Sequence, residues 1–153
     1  MLNETDSQRD ERFMRAAIDE ALQAFEEDEI PIGAVIEING RIIARAHNRT
    51  EALRDVSAHA EMQAITAAAD YLGGKYLPDC TLYGTVEPCA MCAGALGWSQ
   101  IGRIVYGAPD TKKGYTTYFN DRTPIHPKTR IKSGVLADEC ASLMQDFFRL
   151  KRR

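Results

Sequence analysis

No run of residues in this 153-residue chain is long and apolar enough to cross a bilayer, so a helical membrane role is not expected. Basic residues are not in excess either. Nineteen Lys and Arg against 22 Asp and Glu leave a formal charge of -3, so there is no overall electrostatic case for a polyanion and any nucleic-acid contact must be local. Met1 to Asp10 carries neither the basic nor the apolar segment of a secretory signal. The expected compartment is the cytosol. Cysteine is sparse, with four in all, and in a reducing compartment a Cys-x-x-Cys pair reads as a metal or redox site before it reads as a disulfide. Internal repeats, linkers and low-complexity segments are missing, and the length leaves room for one domain, residues 1–153, with little for a second.

What the chain does contain is a regular succession of patterned segments. From Ser7 to Glu27, Phe13, Met14, Ala17, Ile18, Ala21, Leu22 and Phe25 recur at three- and four-residue steps, the period of a helix with one buried face. Ile32 to Ile38 and Arg41 to Ala46 are rich in β-branched residues. They flank Asn39-Gly40, which tolerates the positive φ of a tight turn, so an antiparallel pair is expected. A second helix is predicted over Ala58 to Tyr71, with Met62, Ile65, Ala69 and Leu72 on one side and Gly73-Gly74 as its stop. Thr81 to Thr85 reads as a strand. A third helix follows to Trp98, with Pro88 in its first turn, where a missing N–H costs nothing. Arg103 to Tyr106 gives another strand, Pro109 to Lys132 is turn-rich and unassigned, and Leu136 to Arg152 forms a last amphipathic helix. Strands alternating with helices predict a layered α/β domain whose sheet joins an antiparallel hairpin to later parallel strands.

Two short motifs each fall at a predicted helix entrance: His59-Ala60-Glu61 and Pro88-Cys89-Ala90-Met91-Cys92. Cys89 and Cys92, three residues apart, share one helix face, so both thiolates can reach one tetrahedral ion, and the free N–H groups there favour the thiolate form. His59 would add a third ligand, leaving the fourth position to water, which separates a catalytic zinc from a closed structural one. A metal-bound hydroxide would then form near neutral pH, and Glu61, with no ligand role of its own, could move the protons. On a regular helix, residues two apart point to nearly opposite sides, so His59 and Glu61 can share a pocket only at a helix entrance or if the glutamate bends round. Two other readings stay open: a thioredoxin-like redox pair, or a structural zinc closed by His47 or His126. Cys80 and Cys140 read as small core residues.

His59-Ala60-Glu61 followed by Pro88-Cys89-x-x-Cys92 resembles the cytidine deaminase superfamily, whose signature and mechanism are known for zinc deaminases. Ile30 to Val35, His47-Asn48-Arg49, Ala58 to Glu61, Thr81-Leu82-Tyr83, Glu87-Pro88-Cys89, Cys92 to Ala95, Leu136 to Cys140 and Phe147-Phe148-Arg149 are similar to the bacterial tRNA-specific adenosine deaminases. The resemblance implies a three-layer α/β/α sandwich with a mixed central sheet, one Zn2+ per subunit, a homodimer, and a tRNA anticodon stem-loop whose wobble adenosine becomes inosine through attack at C6. By motif position it also implies that Asn48 bonds the flipped nucleoside, that Ile30 and Val86 line the base pocket, and that Asp110 lies beside the substrate backbone.

One segment departs from that family. A small-residue Gly-Ala-x-Gly-Ser stretch is usual after Asp110, whereas this chain has Lys112-Lys113-Gly114-Tyr115-Thr116-Thr117-Tyr118-Phe119. His126-Pro127 is kept, but the usual Asn-His gives way to Lys128-Thr129. Aromatics among lysines suit base stacking and phosphate contact, or the packing of a loop. The departure bears on substrate identity, so a deaminase of free nucleosides or bases such as guanine or cytosine is the alternative. A zinc-stabilised RNA-binding or redox protein is a third reading. The basic terminus Arg149-Leu150-Lys151-Arg152-Arg153 fits either the dipole of a helix end or an RNA-contacting arm.

Overall fold

The computed structural model describes residues 3–119 and 121–151. In chain order these form α1 (Asp6–Glu26), β1 (Gly33–Ile38), β2 (Arg41–His47), α2 (Ala60–Leu72), β3 (Thr81–Val86), α3 (Ala90–Ser99), β4 (Arg103–Ala108), α4 (Tyr115–Tyr118), β5 (Arg130–Lys132) and α5 (Ala137–Lys151). Helix α1 starts at a capping box in which Thr5 accepts from the Gln8 backbone N–H while the Gln8 side chain accepts from that of Thr5. The hairpin forms as expected, with Asn39 and Gly40 at φ 52° and 81°. Gly73 closes α2 in the left-handed conformation, its N–H returning to Ala69. The unassigned stretch before α5 holds the single turn of α4 and the short edge strand β5.

The sheet runs β2-β1-β3-β4-β5. β1 is antiparallel to both β2 and β3, whereas β3, β4 and β5 are mutually parallel, so the direction of pairing changes at β3. Successive side chains of a strand point to opposite faces, and here both faces are covered. Val35, Tyr83 and Val105 pack with Phe13, Met14 and Ala17 of α1 and Cys140 of α5. Ala34, Ile36, Leu82 and Ile104 pack with Ala60, Ala64 and Ala68 of α2 and with Ala93 and Leu96 of α3. This is the three-layer α/β/α arrangement with a mixed central sheet. Among the described residues no helix is long and apolar enough to cross a membrane.

Several sequence expectations are corrected. The face of α2 on the sheet is made by alanines, while Met62, Ile65 and Ala69 are half-buried and Leu72 is exposed. Small side chains let that helix lie close to the strands, and close approach outweighs side-chain hydrophobicity. Leu22 and Leu150 are likewise exposed. Pro88 lies before the helix, because Cys89 is the N-cap of α3. Arg152 and Arg153 of the basic terminus lie outside the described residues. Within it, Lys151 pairs with Asp28 and Arg149 with Asp146.

The layers are also tied by charge. Asp10 of α1 is fully buried and accepts from Arg103, Lys132 and the Tyr83 hydroxyl, all between 2.7 and 2.8 Å. Burial opposes its ionisation, but these three partners override that cost and hold the carboxyl well below the usual range.

Candidate active site

The antiparallel pairing of β1 with β3 brings the start of β1, the end of β2 and the carboxyl ends of β3 and β4 to one edge of the sheet. The first turns of α2 and α3 open onto the same edge. Sites in open α/β sheets form outside the carboxyl ends of the strands, where the topology changes direction. Ile30, Asn48, His59, Glu61, Val86, Cys89, Cys92 and Asp110 all belong to segments that start or end there.

His59 and Cys89 are both N-caps, with extended backbones at φ -72° and ψ 153° and 175° respectively. Because His59 precedes the helix, the opposition between residues two apart on a regular helix does not apply. His59 and Glu61 flank the entrance of α2, close enough for the carboxyl to feel the imidazole. His59 Nδ1 lies 3.5 Å from Cys89 Sγ and 3.4 Å from Cys92 Sγ, and the three ligand atoms all fall within 4.8 Å of one another. Zinc bound tetrahedrally at about 2.3 Å from sulfur and about 2.0 Å from nitrogen needs an N···S separation of about 3.5 Å. The residues therefore fit zinc in spacing and in chemistry. Neither spare histidine joins them. His47 lies between Glu20 at 3.1 Å and Glu27 at 2.6 Å, and His126 Nδ1 accepts from the Lys128 backbone N–H.

The electrostatics of the trio are mutual. A hydrogen bond from Cys92 brings Cys89 down to about 4 against the cost of burial, with His59 helping. Cys92 beside it is held up by the Cys89 thiolate and by burial. Cys89 also raises His59, again against burial. Burial drives the Glu61 carboxyl up to about 7; the Cys89 charge adds to this, while its own backbone N–H, His59 and Cys92 oppose it. A carboxyl near neutrality can both take and return a proton. Cys80 and Cys140 are buried free thiols pushed up to about 11 and about 12 by desolvation, which suits core residues.

The other predicted residues take distinct places. Asn48 is buried at the end of β2, its N–H on the Ile32 carbonyl, and Val86 is buried as the last residue of β3. Ile30 is half-buried and borders an open groove of about 500 Å3 that also involves Glu51, Phe147 and Lys151. Asp110 turns its carboxylate into its own loop, accepting from the N–H groups of Lys112 and Lys113. Of the three aromatics nearby, Tyr115 is buried and Phe119 packs on the core, while Tyr118 is exposed with Lys112 and Lys113.

Three polar residues to which the sequence assigns no role shape this edge. Gln63 donates to the carbonyls of His47, Ala58 and His59. Buried Glu29 accepts from the N–H groups of Glu51 and Ala52, holding the loop between Asn48 and His59. Buried Glu87 accepts from the Asp110 N–H and from both the N–H and the hydroxyl of Thr116. The available signal was a glutamate next to a buried strand or an apolar segment, which predicts a partner without identifying it.

Comparison with known proteins agrees with this arrangement. The cytidine and deoxycytidylate deaminase zinc-binding region matches residues 7–108. The tRNA-specific adenosine deaminase of Agrobacterium fabrum (strain C58 / ATCC 33970) is 45% identical over 143 residues, 92% of this chain and 94% of that protein. That of Bacillus subtilis (strain 168) is 45% identical over 148 residues, 95% and 92% of the two chains. A structure solved in work on A-to-I editing by tRNA:A34 deaminases at the wobble position of transfer RNA superposes with a TM-score of 0.81 at 44% identity, covering 86% of this chain and 98% of that one.

Proposed function

The chain belongs to the cytidine and deoxycytidylate deaminase zinc-binding family, and from that premise we propose that it hydrolyses adenosine to inosine at the wobble position of a tRNA anticodon stem-loop. The observation that carries the chemistry is the His59, Cys89 and Cys92 trio with a buried Glu61 carboxyl beside it. What supports the substrate is identity along almost the whole chain to proteins known as tRNA-specific adenosine deaminases.

His59, Cys89 and Cys92 would hold the zinc, which when bound supplies the Lewis acidity that makes water a nucleophile near neutral pH. Glu61 would take one proton from the attacking water and deliver it to the ring nitrogen beside C6, then take the proton of the new C6 hydroxyl and pass it to the departing amine, so that water and adenosine give inosine and ammonia. Asn48 bonds the nucleoside, Ile30 and Val86 flank the base, and Asp110 lies by the backbone of the substrate. In this reading residues 1–153 act as one deaminase domain in the cytosol and work as a homodimer. Met91 and Trp98, exposed seven residues apart on α3, favour an apolar contact with a second copy.

The substrate is tested by incubating the zinc-loaded protein with an anticodon stem-loop carrying a wobble adenosine, and separately with free nucleosides and bases. Inosine in the RNA alone is the expected result. Turnover of free guanine, cytosine or adenosine alone overturns the tRNA reading and favours the free-base alternative.

A further inference from the structure

The segment from Lys112 to Phe119, which differs from the stretch expected of the family, has an anchor in the structure. The Glu87 carboxylate is buried immediately beyond β3, two residues before Cys89. One oxygen accepts from the Asp110 N–H at 3.2 Å. The other accepts from the Thr116 N–H at 3.1 Å and from its hydroxyl at 2.6 Å. One side chain therefore clasps the loop at both ends. Between those ends the backbone closes the clasp: Tyr115 N–H reaches the Pro88 carbonyl at 2.9 Å, and Gly114 forms a bridge with Cys89. Gly114 has no alternative here, because a Cβ would overlap the Glu87 carboxylate and the Asp110 carbonyl.

The loop held in this way turns Tyr115 inward and leaves Lys112, Lys113 and Tyr118 exposed beside the site. Two ammonium groups and a phenol ring are the chemistry that meets phosphates and stacks on an unpaired base. We infer that Glu87 is a positioning residue for RNA: it fixes the Asp110–Thr116 loop against the Pro88-Cys89 segment, so that Lys112, Lys113 and Tyr118 meet the nucleic-acid strand flanking the target nucleotide. The inference rests on the tRNA reading above. Glu87 touches neither the reacting base nor the ligand atoms, so its loss weakens substrate capture and leaves the chemical step in place.

The test measures zinc content, kcat and KM on the stem-loop for the wild type, Glu87→Gln and Gly114→Ala. The isosteric glutamine has one accepting oxygen where the carboxylate has two, so it can accept at one end of the loop only and cannot restore the clasp. Gly114→Ala forces the same loop off without changing Glu87. Both variants should retain stoichiometric zinc, keep kcat within about twofold and raise KM by about tenfold or more, as expected for the loss of charge-assisted hydrogen bonds. Thr116→Val should raise KM less in the Glu87→Gln background than in the wild type, since both substitutions act on the same clasp. Failure of the wild type to make inosine overturns the tRNA reading and this inference with it. Inosine formation with unchanged KM in both variants overturns the inference alone. Zinc loss with a lower kcat at constant KM also overturns it, by assigning Glu87 to the support of Cys89.

Discussion

The side-chain amide of Gln63 donates to the main-chain carbonyl of His47 at 2.7 Å, joining the first turn of α2 to the end of β2. The same nitrogen reaches the carbonyls of Ala58 and His59, so one residue sets the spacing between the Asn48 segment and the histidine of the metal trio. Gln63→Ala should cost about 1–2 kcal/mol of stability. It should also lower kcat/KM by about tenfold, because a loosened His59 backbone misplaces the ligand set. Gln63→Glu, of equal size, turns an acceptor toward three carbonyls and should be worse on both counts. Thermal midpoints and steady-state kinetics decide this, and an alanine variant with wild-type kcat/KM would remove Gln63 from the positioning of the site.

The first turn of α2 also carries the proton-transfer group. Glu61→Ala should keep zinc bound, because Glu61 is not one of the three ligands, yet lose ammonia release by on the order of 10^2- to 10^4-fold. Elemental analysis and an ammonia assay on the same preparation check both halves. Activity that survives on every substrate tried would show that the proton passes elsewhere.

At the opposite end of the molecule, Asp10 makes stability depend on pH. Its folded carboxyl lies below the ordinary value of about 3.9, so its contribution is complete above that value and is lost as pH falls through it toward the folded one. Asp10→Asn leaves Arg103 and Lys132 without a buried counter-charge and should cost about 3–5 kcal/mol at pH 7. In urea titrations the gap between wild type and variant should narrow from pH 5 to pH 2. A gap that stays constant across that range would show that Asp10 does not titrate with folding.

The four cysteines should sort into two classes. Cys80 and Cys140 are buried with raised thiols and should resist alkylation until the protein unfolds. Cys89 and Cys92 should be protected by zinc and become modified after chelation, as read by mass spectrometry of alkylated peptides. Early labelling of Cys140 in the chelated protein would mean that metal loss opens the α5 face of the core.

Local signals made much of this arrangement legible. The apolar period of α1, the Asn39-Gly40 turn and the Gly73 stop each depend on neighbours a few residues away, and each stands where expected. The ligand trio was legible for a different reason: the chemistry of thiolate and imidazole admits few uses at that spacing. What escaped depends on distant partners. The alanine face of α2 is chosen by how closely the sheet lets a helix approach, which Met62 and Ile65 obscure by being more hydrophobic. Glu87 and Gln63 acquire meaning only once Thr116 and His47 have been folded against them. The extended backbone of His59, which sets it beside Glu61 at the entrance of α2, comes from its being a cap, a distinction that a helix start placed two residues early conceals.

The Asn39-Gly40 turn stands at the far end of β1 from the ligand trio, with both residues exposed. An insertion there lengthens a solvent loop without crossing the strand ends that build the site, since extra loop residues cost little closure entropy. The hairpin tip is thus a natural place to graft a fluorophore or a surface tether, and immobilisation through it would leave the end of the sheet that carries the ligand trio turned toward solution.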